Sequence, residues 1–291
     1  MKSTRPNLLL LILLTSIQFT ACNSEQIDET VSVLSEVAIK NFKAKFPKAQ
    51  VTAMYSNASN ITTVEFQEEY EGYGVAKYQH DERILSARSI SDLMFLPRKV
   101  RETFKSLNHI DFLQISITEI DYAAIIGKYY LIHMLSEWPN GSGRISDVYI
   151  HESGLLLFPH DDVYNTIYFE PIPQNHLDYI KVNYTGSKVV GYMSPRYLYA
   201  IWHDGVLKTI QFWSSESDTM YFWDFTKWFI TPESVPTKVM EYLDQEYPNH
   251  LYNKVQYEEN SSNLSIYKFI YKDDSTRSEE RRVGKECRYR W

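Results

Sequence analysis

The sequence predicts an α+β protein made of tandem units, each a short helix packed on a small antiparallel sheet of about four strands. Three observations predict it. Steps of an apolar residue followed by proline recur ahead of short amphipathic runs. Strand-like segments bounded by tight turns fill the intervals between them. The 291-residue chain is also 15 % aromatic, with 23 Tyr, 14 Phe and 6 Trp, a composition that suits half-buried pleated surfaces. At 44 % hydrophobic residues it is able to bury a core of ordinary size.

The first element is not fold. Lys2 and Arg5 precede an apolar run at 8–14 that is too short to span a bilayer, which takes about 20 residues. Thr20-Ala21-Cys22 ends it in a way that resembles a bacterial lipoprotein cleavage box, with Phe19 where the box usually has Leu. Residues 1–21 are therefore expected to be a signal peptide and Cys22 the lipid-attachment residue. Residues 22–33 are expected to form an acidic tether, similar to those of surface lipoproteins of the Bacteroidetes group. This places the protein in the cell envelope, held to the outer membrane by its N-terminal lipid, with the periplasmic or surface face left open.

Four helices follow. The first carries Leu34, Ala38, Phe42 and Phe46 at helical spacing and stops at Pro47. Leu96-Pro97 leads to Val100, Phe104 and Leu107; Ile172-Pro173 leads to Leu177; Val235-Pro236 leads to Val239, Leu243 and Tyr247, ending at Pro248. Proline suits the first turn of a helix, where its missing N–H costs nothing, and stops a helix elsewhere. Hairpins are expected around His80-Asp81, His151-Glu152 and His203-Asp204-Gly205, the last with a strong Asp-Gly turn signal. Further strands are expected over 62–68, 114–122, 128–135, 145–150, 253–258 and 264–271.

The units so defined run 34–96, 97–171, 172–234 and 235–276. The third reads as divergent, aromatic-rich, and with a short polar helix. The fourth ends after two strands, which predicts an open sheet edge.

From Arg277 the apolar periodicity stops. The string from Arg277 to Arg288 resembles an in-frame translation of a sequencing-library adaptor, so 277–291 is read as a non-native tail. The whole chain carries 30 basic and 37 acidic residues, net −7. Setting aside two basic residues in the leader, and six basic and three acidic in the tail, leaves 22 against 34, net −12. That balance excludes nucleic acid as a partner. Cys22 is then the one cysteine, so no intrachain disulfide forms.

The helix 37–47, the hairpin 78–85, the Leu96-Pro97-x-x-Val100 start and the Val235-Pro236-x-x-Val239 to Pro248 stretch resemble the PepSY-like, beta-lactamase-inhibitor-like family of secreted bacterial proteins. The resemblance covers nearly all of 34–271. It implies tandem helix-on-sheet units, a location outside the cytoplasm, and a non-catalytic binding or inhibitory role. It implies no catalytic residues.

No zinc-protease, nucleophile-elbow, phosphate-loop or Cys-x-x-Cys motif occurs in the sequence. No catalytic residue, cofactor or metal is expected. His80, His151 and His203, each beside an acid, are explained as hairpin turns; a shared metal is the alternative reading. His160-Asp161-Asp162 reads as a solvated loop rather than a cation site.

The densest aromatic stretch is 221–229. Simple alternation puts Tyr221, Trp223 and Phe225 on one face and Phe222 on the other. Trp202, Trp213, Tyr221, Trp223 and Trp228 are the candidate ligand-binding residues. The function these features predict is binding or inhibition of a protein or peptide partner. Glycan binding on the third-unit aromatics is the alternative, and an envelope hydrolase a third reading. Cys22→Ser should move the protein from the membrane pellet to the soluble fraction; unchanged membrane retention would contradict the anchor.

Overall fold

The computed structural model describes residues 34–68, 72–107, 114–137, 143–158, 169–194, 196–214, 221–247, 252–262, 264–271 and 286–289. Cys22 with its leader and tether, His160-Asp161-Asp162 and most of the tail lie outside these residues.

The elements run α1 (Glu36–Lys45), β1 (Gln50–Ser56), β2 (Ile61–Glu68), β3 (Gly72–Gln79), β4 (Glu82–Ile90), α2 (Arg98–Ser106), β5 (Gln114–Tyr122), β6 (Tyr129–Glu137), β7 (Gly143–His151) and β8 (Leu156–Leu157). They continue with α3 (Gln174–Asn183), β9 (Lys188–Met193), β10 (Leu198–His203), β11 (Val206–Ser214), β12 (Tyr221–Ile230), α4 (Thr237–Glu246), β13 (Tyr252–Asn260), β14 (Ser265–Tyr271) and β15 (Glu286–Tyr289). A helix and four strands thus occur three times, and a helix with three strands, the last of them short, follows.

The α+β class is as expected, but the sheets are not four-stranded. β1 to β8 form one eight-stranded antiparallel sheet in chain order, and β9 to β14 form a second, to which the short β15 adds a seventh strand. The physical reason is edge pairing. Ile90 of β4 pairs with Ile117 of β5, and Ile230 of β12 with Val255 of β13. An edge that would otherwise expose ladder groups is thereby used to continue the sheet. The open edge expected at β14 is likewise paired, Ser265–Lys268 lying against Tyr289–Glu286.

The helices repeat one design. Pro97, Pro173 and Pro236 each stand just before the first helical residue. Three residues on, Val100, His176 and Val239 are buried; four further on, so are Phe104, Ile180 and Leu243. α1 uses Ala38 and Phe42 in the same places. α1, α3 and α4 end alike, with the N–H of Phe46, Tyr184 and Tyr247 donating four residues back. The third helix is therefore not short. At ten residues it equals α1 and α4, and its buried face is His176 and Ile180 rather than Leu177.

The strands repeat too. β3–β4 and β11–β12 each carry a bulge, at Ile84 and Asp224. Counting outward from the bulge makes Arg83 equivalent to Trp223, Ser86 to Thr226 and Arg88 to Trp228. Across the junction, Asp121 then corresponds to Glu259 and Glu119 to Tyr257.

On the first sheet's helix side, the junction between the α1 and α2 cores is ionic. Arg88 donates to Glu119 at 3.0 Å and to Glu68 at 3.1 Å, and Lys128 donates to Glu119 at 2.9 Å. Asp121 is held by Lys45 and by Arg83, the latter at 3.2 Å. Burial alone would raise both carboxyls; the hydrogen bonds and charges of these cations more than reverse it and hold Glu119 and Asp121 below the usual range.

The largest core joins the two sheets. Leu85, Ile120, Tyr129, Leu131 and Leu157 of the first pack with Tyr192, Leu198, Ala200 and Ile201 of the second. The Tyr129 hydroxyl donates to the Tyr192 carbonyl at 2.6 Å. The Ile126 N–H donates to Val189 at 3.0 Å, which closes part of the β9 edge. Gly191 is required at this contact: a Cβ there would lie 2.5 Å from Leu157 Cδ1.

Because the folded carboxyls sit low, their contribution is present above the unfolded values near 4 and is lost as pH falls through the folded ones. Glu119→Gln should cost roughly 2 kcal/mol in urea unfolding at pH 7, and much less at pH 3. An equal penalty at both pH values would contradict the ion pairing.

Candidate functional site

The bulge at Asp224 decides where the aromatic residues go. Gln211 pairs with Phe225, but the next residue, Phe212, pairs with Trp223, and Trp213 with Phe222. One extra residue on β12 shifts the alternation. Trp223 and Phe225 therefore lie on opposite faces, which corrects the simple alternation read from the sequence.

The helix-free face of the second sheet carries Trp202, Trp213, Phe222, Phe225 and Phe229. Trp213 and Phe222 are 46 % and 40 % exposed, and their rings stack at 5.1 Å. The ammonium of Lys227 lies over Phe225 at 5.0 Å and that of Lys254 over Phe229 at 5.4 Å. Lys268 pairs with Glu258 at 3.0 Å on the same face. Trp202 is also exposed but pairs with Leu207. It stands six residues along β11 from Trp213, about 20 Å away. Leu198, Ala200 and Thr209, between them on the same face, are buried, so the exposed rings do not form one cluster.

Trp223 and Trp228 lie on the other side, beneath the helices. Trp223 Nε1 donates to Thr226 Oγ1 at 2.9 Å and its ring stacks on Tyr179. Trp228 meets Tyr257 edge-on at 4.8 Å and takes the Lys208 ammonium at 4.5 Å. Tyr221 is the strand partner of Ser214, and its side chain lies outside the described residues. Of the five candidates, the structure thus puts two on the open face and two on the helix side.

The recurrent histidines do different jobs. His80 and Asp81 form a two-residue turn with positive φ of 48° and 67° between β3 and β4. Asp204 and Gly205 form the like turn between β10 and β11, one strand earlier in its unit. His151 is buried, with Nε2 2.8 Å from the Ile126 carbonyl and Nδ1 2.8 Å from Ser153 Oγ. His203 Nδ1 lies 3.1 Å from Asp204. Among the described residues no group of three His, Cys, Asp or Glu is placed to hold a metal.

Two polar features escaped the sequence reading. His176 is fully buried, stacked on Phe212 at 4.2 Å with Nδ1 2.8 Å from the Tyr199 hydroxyl, and burial lowers it to about 4. Ser116, His133 and Asp147 also fall in one row across β5, β6 and β7, with His133 Nδ1 2.5 Å from Asp147. That hydrogen bond raises His133, against burial. The row has the residue order of a nucleophile, base and orienting acid. However, it lies in mid-sheet, where ladder pairing uses the backbone N–H groups that an oxyanion hole would need.

No family model matches the chain, and no curated protein does. Among solved structures, the fold is similar to a BLIP-like protein of Bacteroides fragilis, with a TM-score of 0.39 and 13 % identity, covering 48 % of this chain and 94 % of that one. It is similar to DUF2874 family proteins of Bacteroides ovatus (0.35, 13 %, covering 43 % and 86 %) and Bacteroides uniformis (0.34, 9 %, covering 42 % and 85 %).

Because His176 is neutral when folded, lowering the pH from about 6.5 towards 4 protonates the unfolded chain first and destabilises the fold. His176→Val, the residue α2 and α4 use in this position, should lose less in thermal midpoint between pH 7 and pH 5 than the parent. An identical slope would contradict the buried, neutral ring.

Proposed function

We propose that the chain is a non-catalytic envelope lipoprotein of four tandem units, 34–96, 97–171, 172–234 and 235–276, which binds or inhibits a protein or peptide partner. The exposed Trp213–Phe222 pair on the helix-free face of the second sheet carries this reading. Large rings give contact area at little entropic cost and dominate protein interfaces. An exposed aromatic surface marks an interaction site. The pair stands on a pleated sheet surface rather than in a cleft, which favours a macromolecule over a small ligand. The leader and Cys22 support a location in the cell envelope, anchored by lipid. Glycan binding is the second reading, favoured by the ring faces of Trp202 and Trp213.

Photo-crosslinking tests the proposal. A benzophenone amino acid at position 213 should yield a protein adduct of discrete mass in envelope extracts, whereas the same probe at exposed Val182 on α3 should not. W213A/F222A, with a parallel probe at Trp202, should cut the adduct at least tenfold. No adduct, or a saturable change of Trp fluorescence with oligosaccharides alone, would overturn it.

A further inference from the structure

We infer that the junction between α3 and α4, on the helix side of the second sheet, is a binding site for an alkylammonium cation. The inference comes from comparing the two junctions. In the first sheet, Asp121 is held by two cations of this chain, Lys45 at the end of α1 and Arg83 on β4. Arg83 also reaches Ser86 Oγ at 3.3 Å. In the second sheet the equivalent carboxylate is Glu259, opposite Thr226. The two cation positions there hold Asn183 and Trp223. Asn183 turns back to donate to the Tyr179 carbonyl at 2.9 Å. Trp223 keeps the reach of Arg83, donating to the residue three further on, but presents a ring instead of a charge.

Rings line the junction beside this carboxylate. Thr226 Oγ1 fixes two walls, bonded to Trp223 Nε1 at 2.9 Å and to the Tyr184 hydroxyl at 2.5 Å. Tyr179 stacks on Trp223 at 6.4 Å. The Tyr257 hydroxyl donates to Glu259 Oε1 at 3.3 Å and lies 3.0 Å from Ser265 Oγ. Besides burial, which is the larger cause, the Glu259 charge raises Tyr179, Tyr184 and Tyr257, so all three hydroxyls feel it. Thr226 is fully buried, whereas Tyr179, Tyr184, Trp223, Tyr257 and Glu259 are half-buried, neither sealed nor fully in water. The negative faces of aromatic rings with one carboxylate favour an organic cation, most strongly where water is partly excluded.

The same junction already shows the chemistry. The Lys208 ammonium, one row along, lies 4.5 Å from the Trp228 ring centre and 5.6 Å from that of Tyr184. The ligand is therefore a primary ammonium of the lysine side-chain type, seated between Trp223, Tyr184 and Tyr257 against Glu259. This site is on the opposite side of the sheet from the Trp213–Phe222 surface, and the two readings stand or fall separately.

Titration of the full chain with n-butylammonium, read on the tryptophan indole N–H resonances, tests the site. The Trp223 resonance should shift to saturation. The neutral control n-pentanol should bind at least tenfold more weakly. Glu259→Gln should weaken n-butylammonium at least tenfold without altering the circular dichroism spectrum. N183K/W223R rebuilds the ion triad of the first sheet; read by calorimetry, it should abolish binding. Equal responses to n-butylammonium and n-pentanol, or unchanged affinity in Glu259→Gln, would overturn the assignment.

Discussion

The structure depends on strand pairing across two helix-bearing junctions, β4 with β5 and β12 with β13. A helix on a four-stranded sheet leaves its last strand with unused N–H and C=O groups, and continuing the ladder satisfies them. Once that register is set, α1 and α2 must fall on one side of the first sheet, and α3 and α4 on one side of the second. The rows between the helices then bring together residues far apart in sequence, such as Arg88 with Glu119 and Trp228 with Tyr257. Among the described residues no helix covers the other face of each sheet. Each sheet uses part of that face to meet the other, and the second also presents Trp213 and Phe222 there.

The two junctions solve one packing problem with different chemistry. In the first, half-buried charges neutralise one another, so the seam is closed to further ions. In the second, Trp223 and Trp228 stand where the first has Arg83 and Arg88, and the buried Lys208 ammonium rests against aromatic faces. Ionic seams specify register at little net gain in stability. Aromatic seams bury more apolar area and leave polarisable surface within reach of solvent. One helix-on-sheet framework thus carries an ionic seam in the first half and an aromatic seam in the second.

Much of this was legible in the sequence. The apolar-Pro steps located three helix starts, and the face Leu34, Ala38, Phe42, Phe46 located the fourth helix. The reading of 114–122 matches β5 residue for residue. What could not be read has physical causes. A bulge such as that at Asp224 is one unmarked residue, and it reverses the facing of everything beyond it. His176 occupies a valine-equivalent position because Phe212 and Tyr199 supply its stacking and hydrogen bond, neither of which is near it in sequence. The joining of units into longer sheets, and the row Ser116–His133–Asp147, depend on pairing between strands and leave no local pattern. The five candidate aromatic residues all fall on strands of the second sheet, but their division between two faces required the register.

Amide hydrogen exchange reads whether each sheet runs unbroken through its junction. Amides at the β4–β5 and β12–β13 ladders should exchange as slowly as those of β2–β3 and β10–β11. Fast exchange at the two junctions, at the rate of the edge strand β1 while the ladders within units stay protected, would contradict that continuity.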